Sequence, residues 1–137
     1  MQLDDADLVV VFDGGSLNNP GEGYGSFRLE ARGAPTVVER LHFGPGVTNN
    51  EAEYRTLVAA LETALARARA AGQDPRTLKL VAYGDSQLIV NQVAGRWAVR
   101  APNLRPLCDR VRTLLAAFGQ AEVRWHPRAR SVAALGH

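Results

Sequence analysis

The chain has 137 residues, a formal net charge of +2 and 46% hydrophobic residues, enough for one domain with a real core and too little for two. A charged fraction of 22% excludes a disordered chain, and no apolar run approaches the length of a membrane span. The acidic start before the first apolar run is wrong for a secretory signal, and a lone cysteine, Cys108, excludes an internal disulfide or a cysteine metal cluster. The expectation is a monomeric, cytoplasmic protein folded as a single domain over residues 1–137.

Residues 8–12 (LVVVF) form a continuous apolar run that reads as a buried central strand, stopped by Asp13-Gly14-Gly15. Residues 18–21 are dense in turn formers. Strands over 23–30 and 36–43 follow, with Arg32-Gly33 at the turn, as a three-stranded meander. From residue 50 to 71 the period changes, and Leu57, Leu61, Ala64, Leu65 and Ala68 fall at helical spacing. Thr48 and Glu51 have the pattern of a capping box, and Gly72 marks the stop. A strand over 78–83, helices over 86–94 and 103–118, and a last strand over 121–125 complete an α/β domain with a mixed sheet.

Three carboxylates stand out against this pattern. Asp13 ends the first strand and is either a turn residue before glycine or a site residue. Asp85 stands between a strand and a helix and is either an N-cap or a site residue. Both lie at C-terminal strand ends, where open α/β sheets tend to place their sites. Glu53 precedes Leu57 and Leu61 by four and eight residues and points along the apolar stripe. A carboxylate there is costly unless a metal compensates it or the side chain snorkels into water. Glu51 points the other way, four residues from Arg55, as a solvated helix pair would. Three converging carboxylates without a histidine or cysteine cluster suit Mg²⁺ and phosphoryl transfer.

Lys79 is the only lysine, and from residue 96 to 112 the chain carries Arg96, Arg100, Arg105, Arg110 and Arg112 against one acid, Asp109. Such a run is either a solvated helix face or a set of forks for phosphate oxygens.

At these residues the chain resembles the type 1 ribonuclease H family, in a compact form without a basic insertion or a separate hybrid-binding domain. Three segments carry the likeness in order: 13–25 (DGGSLNNPGEGYG), 48–54 (TNNEAEY) and 84–92 (GDSQLIVNQ). It continues through GRW at 95–97 to HPRAR at 126–130. The resemblance implies a five-stranded mixed sheet flanked by helices. It also implies cleavage of the RNA strand of RNA–DNA hybrids with Mg²⁺ or Mn²⁺, two ions being held in the substrate complex.

Carried over by motif, the catalytic, metal-binding acids are Asp13, Glu53 and Asp85. Asn19, Thr48, Asn49, Asn50 and Gln87 match positions lining the substrate groove, and the backbone at Gly14, Gly15 and Ser16 would pass close to the RNA. Trp97 is placed either beside the DNA strand or in the core. Arg128 is either a phosphate contact or a loop arginine. His42 and His126 read as ordinary surface or sheet histidines.

One departure matters. The family carries a fourth acid in a pattern like PRxxNxxAD, but here Ser131 stands at the asparagine position and Leu135 at the aspartate position. No acidic side chain follows Glu122, and the helix that generally follows is expected to be absent. Water, His126 or His137 could fill the vacant position. The alternative to a ribonuclease is a catalytically impaired hybrid-binding or nucleic-acid-binding module on the same fold. A 3′–5′ exonuclease of related architecture is disfavoured, because Asp13-Gly14-Gly15 lacks an Asp-x-Glu.

Overall fold

The computed structural model describes residues 5–136. Five strands form one mixed sheet in the order β3-β2-β1-β4-β5. The meander consists of β1 (Leu8–Leu17), β2 (Gly21–Ala31) and β3 (Val37–Val47), paired antiparallel. A long helix α1 (Asn49–Ala70) then crosses to β4 (Lys79–Gly84), which pairs parallel with β1. Two helices, α2 (Gln87–Val93) and α3 (Arg105–Ala116), lead to β5 (Gln120–Trp125), which lies parallel to β4. A short helix α4 (Arg128–Leu135) follows.

The core lies on the sheet face under α1. Leu8, Val10, Phe12, Phe27 and Leu29 meet Tyr54, Leu57, Leu61 and Leu65, and Cys108, Val111 and Leu114 of α3 close the side. Full burial of each large side chain contributes about 1.5–3 kcal/mol. Tyr54 sits wholly inside and gives its hydroxyl proton to Gln92 Oε1 at 2.7 Å, so its one polar atom is satisfied.

The ends of α1 follow the expected chemistry. Thr48 Oγ1 accepts from Glu51 N–H, and Glu51 Oε1 accepts from Thr48 N–H, closing the capping box. At the other end Gly72 takes a φ of 75°, which favours glycine, while Gln73 N–H returns to Ala68 O.

Two expectations need correction. First, β1 does not stop at Phe12. Its antiparallel ladder with β2 runs on through Asp13↔Ser26, Gly14↔Gly25 and Gly15↔Tyr24, after parallel pairing with β4 has ended at Val11↔Tyr83. The glycines here serve close approach rather than a turn, since a Cβ on Gly14 would lie 2.6 Å from the Ala52 backbone in α1. The turn falls later, where Asn18 adopts a φ of 62° that asparagine tolerates.

Second, the tail is helical. Arg128–Leu135 forms eight residues of helix, ended by Gly136 with a φ of 78° and its N–H on Val132 O. This helix lies on the face opposite α1, where Ala133 and Ala134 share a cleft with Val9, Val11 and Tyr83. Arg40 of β3 reaches across to donate to Leu135 O at 3.0 Å. An alanine-rich segment with a terminal glycine and inward-facing Ser131 and Leu135 supplies what a short packed helix needs.

Candidate active site

The three carboxylates meet where β1 emerges from its pairing with β4, the first turns of α1 pass over it, and β4 ends. Asp13, Glu53 and Asp85 each offer an oxygen, and these atoms all lie within 4.8 Å of one another. Gly14 N–H donates to Glu53 Oε1 at 3.1 Å, tying β1 to the helix. Asp85 occupies the bend between β4 and α2. It is not the helix cap. Ser86 is, accepting from Ile89 N–H at 3.3 Å. That frees the Asp85 carboxyl to face the other acids.

Crowding and burial set the electrostatics. Burial, followed by hydrogen bonding and repulsion from Asp13, pushes Glu53 up to about 9, while the Gly14 N–H works against the rise. Asp85 is also raised, by burial and the Asp13 charge, against the pull of Arg128, Ser131 and His126. Glu53 Oε2 and Asp85 Oδ2 are buried and accept no hydrogen bond. The Arg128 guanidinium lies 3.5 Å from Asp85 Oδ2. Packed oxygen ligands with unused lone pairs and raised proton affinity fit a hard divalent cation. Glu51, two residues from Glu53, is committed to the helix cap, and the Thr48 backbone N–H holds its carboxyl below the usual range. Its expected partner Arg55 instead lies over the Phe43 ring at 4.6 Å.

The motif polar residues gather beside the acids. Asn49 Oδ1 accepts from Ser16 N–H at 2.8 Å, and Asn49 N–H donates to Asn19 Oδ1 at 2.9 Å. The end of β1, the β1–β2 turn and the start of α1 are thereby laced together. Thr48 and Asn50 flank Asn49 as the N-cap and the second helical residue. Gln87 opens α2, exposed, two residues beyond Asp85. Arg128 begins α4 in an ion pair with Asp85. Trp97 stands apart, 47% exposed, so the core placement is excluded. It lines a shallow cavity with Val99, Arg105 and Asp109.

The arginine run is mostly tied into the fold. Arg112 donates to Gln92 O and Val93 O at the end of α2, Arg105 to Val99 O, and Arg96 to Asn91 Oδ1. Arg110 pairs with Glu62 at 3.0 Å.

Sequence reasoning did not single out Trp125 and named Ser131 only as a departure from the family pattern, while His126 was offered as a group to fill the vacant position. Trp125 Nε1–H donates to Asp85 O at 3.1 Å. His126 is no surface histidine: it is buried, stacked on Tyr83 with ring centroids 5.6 Å apart, and 2.7 Å from Ser131 Oγ. Burial lowers its pKa, against the pull of Asp85. The signal available was position alone: Trp125 ends the last strand, His126 follows it, and Ser131 lies six residues beyond Trp125 in α4. His137 lies outside the described residues.

Among the described residues, no helix is long and apolar enough to cross a membrane.

A family profile described as reverse transcriptase-like matches residues 12–135. The bifunctional protein Rv2228c of Mycobacterium tuberculosis is 35% identical over 125 residues, and the chain, matched over 90% of its own length, spans only 32% of that relative. The solved N-terminal RNase H domain of Rv2228c has 31% identity and a TM-score of 0.80, covering 94% of this chain and 88% of that one. Ribonuclease HI of Halobacterium salinarum is 37% identical over 120 residues, 88% of this chain and 56% of that protein. The crystal structure of RNase H1 from that archaeon has 34% identity and a TM-score of 0.77, covering 93% of this chain and 90% of that one. With the fold, the order of the three motifs and these relatives in agreement, the chain belongs to the type 1 ribonuclease H family.

Proposed function

We propose that this chain is a metal-dependent endoribonuclease that cuts the RNA strand of RNA–DNA hybrids, with Asp13, Glu53 and Asp85 as its catalytic, metal-binding acids. The observation that carries the reading is the convergence of these three carboxylates within 4.8 Å, with buried oxygens on Glu53 and Asp85 that accept no hydrogen bond. Relatives named ribonuclease HI and RNase H1 support the choice of reaction. Mg²⁺ or Mn²⁺, two ions with substrate in place, would be held by these acids and would activate water and the phosphodiester.

The chain's own residues would do the rest. Gly14, Gly15 and Ser16 would bring bare backbone against the RNA strand, where contact with 2′-hydroxyls separates RNA from DNA. Asn19, Asn49 and Asn50, braced on Thr48, would line the groove with Gln87. Arg128, now paired with Asp85, would turn to a phosphate once a cation neutralises that acid. Trp97, exposed beyond α2, would lie along the DNA strand. Such a protein would act as a monomer of one domain in the cytoplasm, where its one buried cysteine needs no partner.

Incubation with Mg²⁺ and labelled hybrid, double-stranded RNA, single-stranded RNA or DNA duplex tests the reading. Cleavage confined to the RNA of the hybrid is expected. Equal cutting of single-stranded RNA, or none of any substrate, would overturn it. A second reading, a hybrid-binding module with weak cleavage, is favoured by one observation: Leu135, buried at 2% exposure, stands where the resemblance expects the fourth acid. Tight hybrid binding without cleavage in either metal would select it.

A further inference from the structure

We propose that Gln92 is a positioning residue for the hybrid, whose buried amide fixes the connection between α2 and α3 so that Trp97 is presented on rigid backbone. The contact of Trp97 with the hybrid rests on the ribonuclease reading, but the fixing of the connection does not.

Gln92 lies in the last turn of α2 and is 4% exposed. A polar side chain that deep is costly unless its hydrogen-bonding atoms find partners. Here both ends of the amide are used. Its Oε1 accepts from the Tyr54 hydroxyl at 2.7 Å, and its Nε2 donates to Ala98 O at 3.4 Å. The reverse orientation would set Oε1 against the Ala98 carbonyl, two acceptors with no proton between them, so the partners fix the assignment. Tyr54 follows Glu53 on α1 and is wholly buried. The amide therefore spans from the helix that bears Glu53 to the residue after Trp97.

The backbone of the same turn completes the clamp. Trp97 N–H donates to Asn91 O at 3.2 Å, so neighbouring residues of α2 hold the chain on both sides of the indole. Gln92 O accepts from Arg112 Nη2 at 2.7 Å, which ties the turn to α3. Arg105 Nε, on Val99 O at 3.0 Å, secures the residue after Ala98. Residues 98–101 belong to no helix or strand, so these bonds do what a helix or sheet ladder does elsewhere.

An indole held in this way is set up for contact. Trp97 is exposed although its backbone is pinned. Aromatic rings give sequence-tolerant contact with nucleic acid, and a group ordered before binding loses less conformational freedom on contact. An apolar side chain of the same length would fill the space of Gln92 equally well. What the amide adds is the link from α1 to the connection.

The test uses Gln92→Met, which keeps the length and loses both hydrogen bonds. In a Trp125→Phe background Trp97 is the one tryptophan left, so its fluorescence reports on the connection alone. Gln92→Met should lower its steady-state anisotropy and steepen its quenching by acrylamide. Leu65→Ala, a core deletion elsewhere on α1, removes stability without touching the clamp and should leave both readings as they were. With Trp125 in place, Gln92→Met should raise KM for the hybrid by about 2–10-fold, the range of one hydrogen bond. The kcat, and Mn²⁺ binding by calorimetry, should stay unchanged. In a Trp97→Ala background Gln92→Met should raise KM no further. Gln92→Asn, whose amide sits on a shorter stem and cannot span both partners, carries the same comparison if Gln92→Met does not fold.

Unaltered Trp97 fluorescence overturns the proposal, and so does equal loosening by Leu65→Ala. A KM effect that persists in Trp97→Ala overturns it as well, since the amide would then act elsewhere. If the unmodified chain cuts no hybrid, the ribonuclease reading falls, while the fluorescence comparison still decides whether Gln92 fixes the connection.

Discussion

Gly14 donates its backbone N–H to Glu53 Oε1 at 3.1 Å, so the strand bearing Asp13 and the helix bearing Glu53 are joined at the point where their charges compete. Without a cation this is a stressed arrangement. Burial and Asp13 hold Glu53 near 9 instead of its ordinary 4.5.

Metal-free stability should depend on pH through Glu53. Its folded pKa lies above its unfolded value, so the stabilising contribution of the protonated form is complete below about 4.5 and is lost as pH climbs towards about 9. Glu53→Gln imitates the protonated state and should flatten that decline. Melting in EDTA from pH 5 to 9 should show the variant gaining on the unmodified chain at the alkaline end. Saturating Mg²⁺ should stabilise only the unmodified chain. Parallel melting curves across the range would contradict this.

Glu51 and Glu53 should separate cleanly. Glutamine serves as well as glutamate at the third position of a capping box, so Glu51→Gln should keep the fold and retain cleavage. Glu53→Gln should lose cleavage almost completely. Thr48→Ala, which opens the box, should cost about 1 kcal/mol, or roughly 3–5 °C in Tm for a chain of this size. A dead Glu51→Gln beside an active Glu53→Gln would reverse the assignment.

Gly14→Ala should damage the site through packing. The new Cβ would lie 2.6 Å from Ala52 backbone, which cannot swing aside as a side chain could. The start of α1 must shift, stretching the bond to Glu53. A loss of about 1–3 kcal/mol in urea unfolding, together with weaker Mn²⁺ binding, is expected. Unchanged values for both would mean that the close approach does not position the acids.

Much of this was legible in the sequence, because local signals and tertiary demands agree. The apolar stripe of α1 placed Glu53 on the buried face, and Thr48 with Glu51 marked its start. The glycines at residues 72 and 95 stop helices with positive φ. Where reading failed, the cause was long-range. Asp13-Gly14-Gly15 has turn composition, yet α1 riding above demands glycine inside a strand, and nothing local reveals that. The arginine run has the composition of a phosphate surface, but carbonyls exposed at the end of α2 claim Arg112. His126 and Ser131 are five residues apart, and only the turn into α4 makes them partners.

Leu135→Asp should change the balance between stability and metal demand. Leu135 is 2% exposed and one helical turn from Ser131. An acid there must be buried, at a cost unless a cation compensates it. The variant should melt lower in EDTA, gain more from Mg²⁺ and cleave at lower Mg²⁺ than the unmodified chain. A Mg²⁺ titration of cleavage identical for the two would show that this position does not communicate with the site.

The most direct test is single-turnover cleavage of an end-labelled RNA–DNA hybrid in Mg²⁺ and in EDTA, comparing the unmodified chain with Asp13→Asn. That substitution keeps the shape of a side chain at the centre of the acid cluster and removes its charge. Cleavage of the RNA strand by the unmodified chain is expected in Mg²⁺ only, with a near-complete loss for Asp13→Asn at unchanged hybrid binding. Cleavage that persists in EDTA, or an Asp13→Asn protein that cuts as fast as the unmodified chain, would contradict the claim that these carboxylates form a hybrid-cleaving metal site.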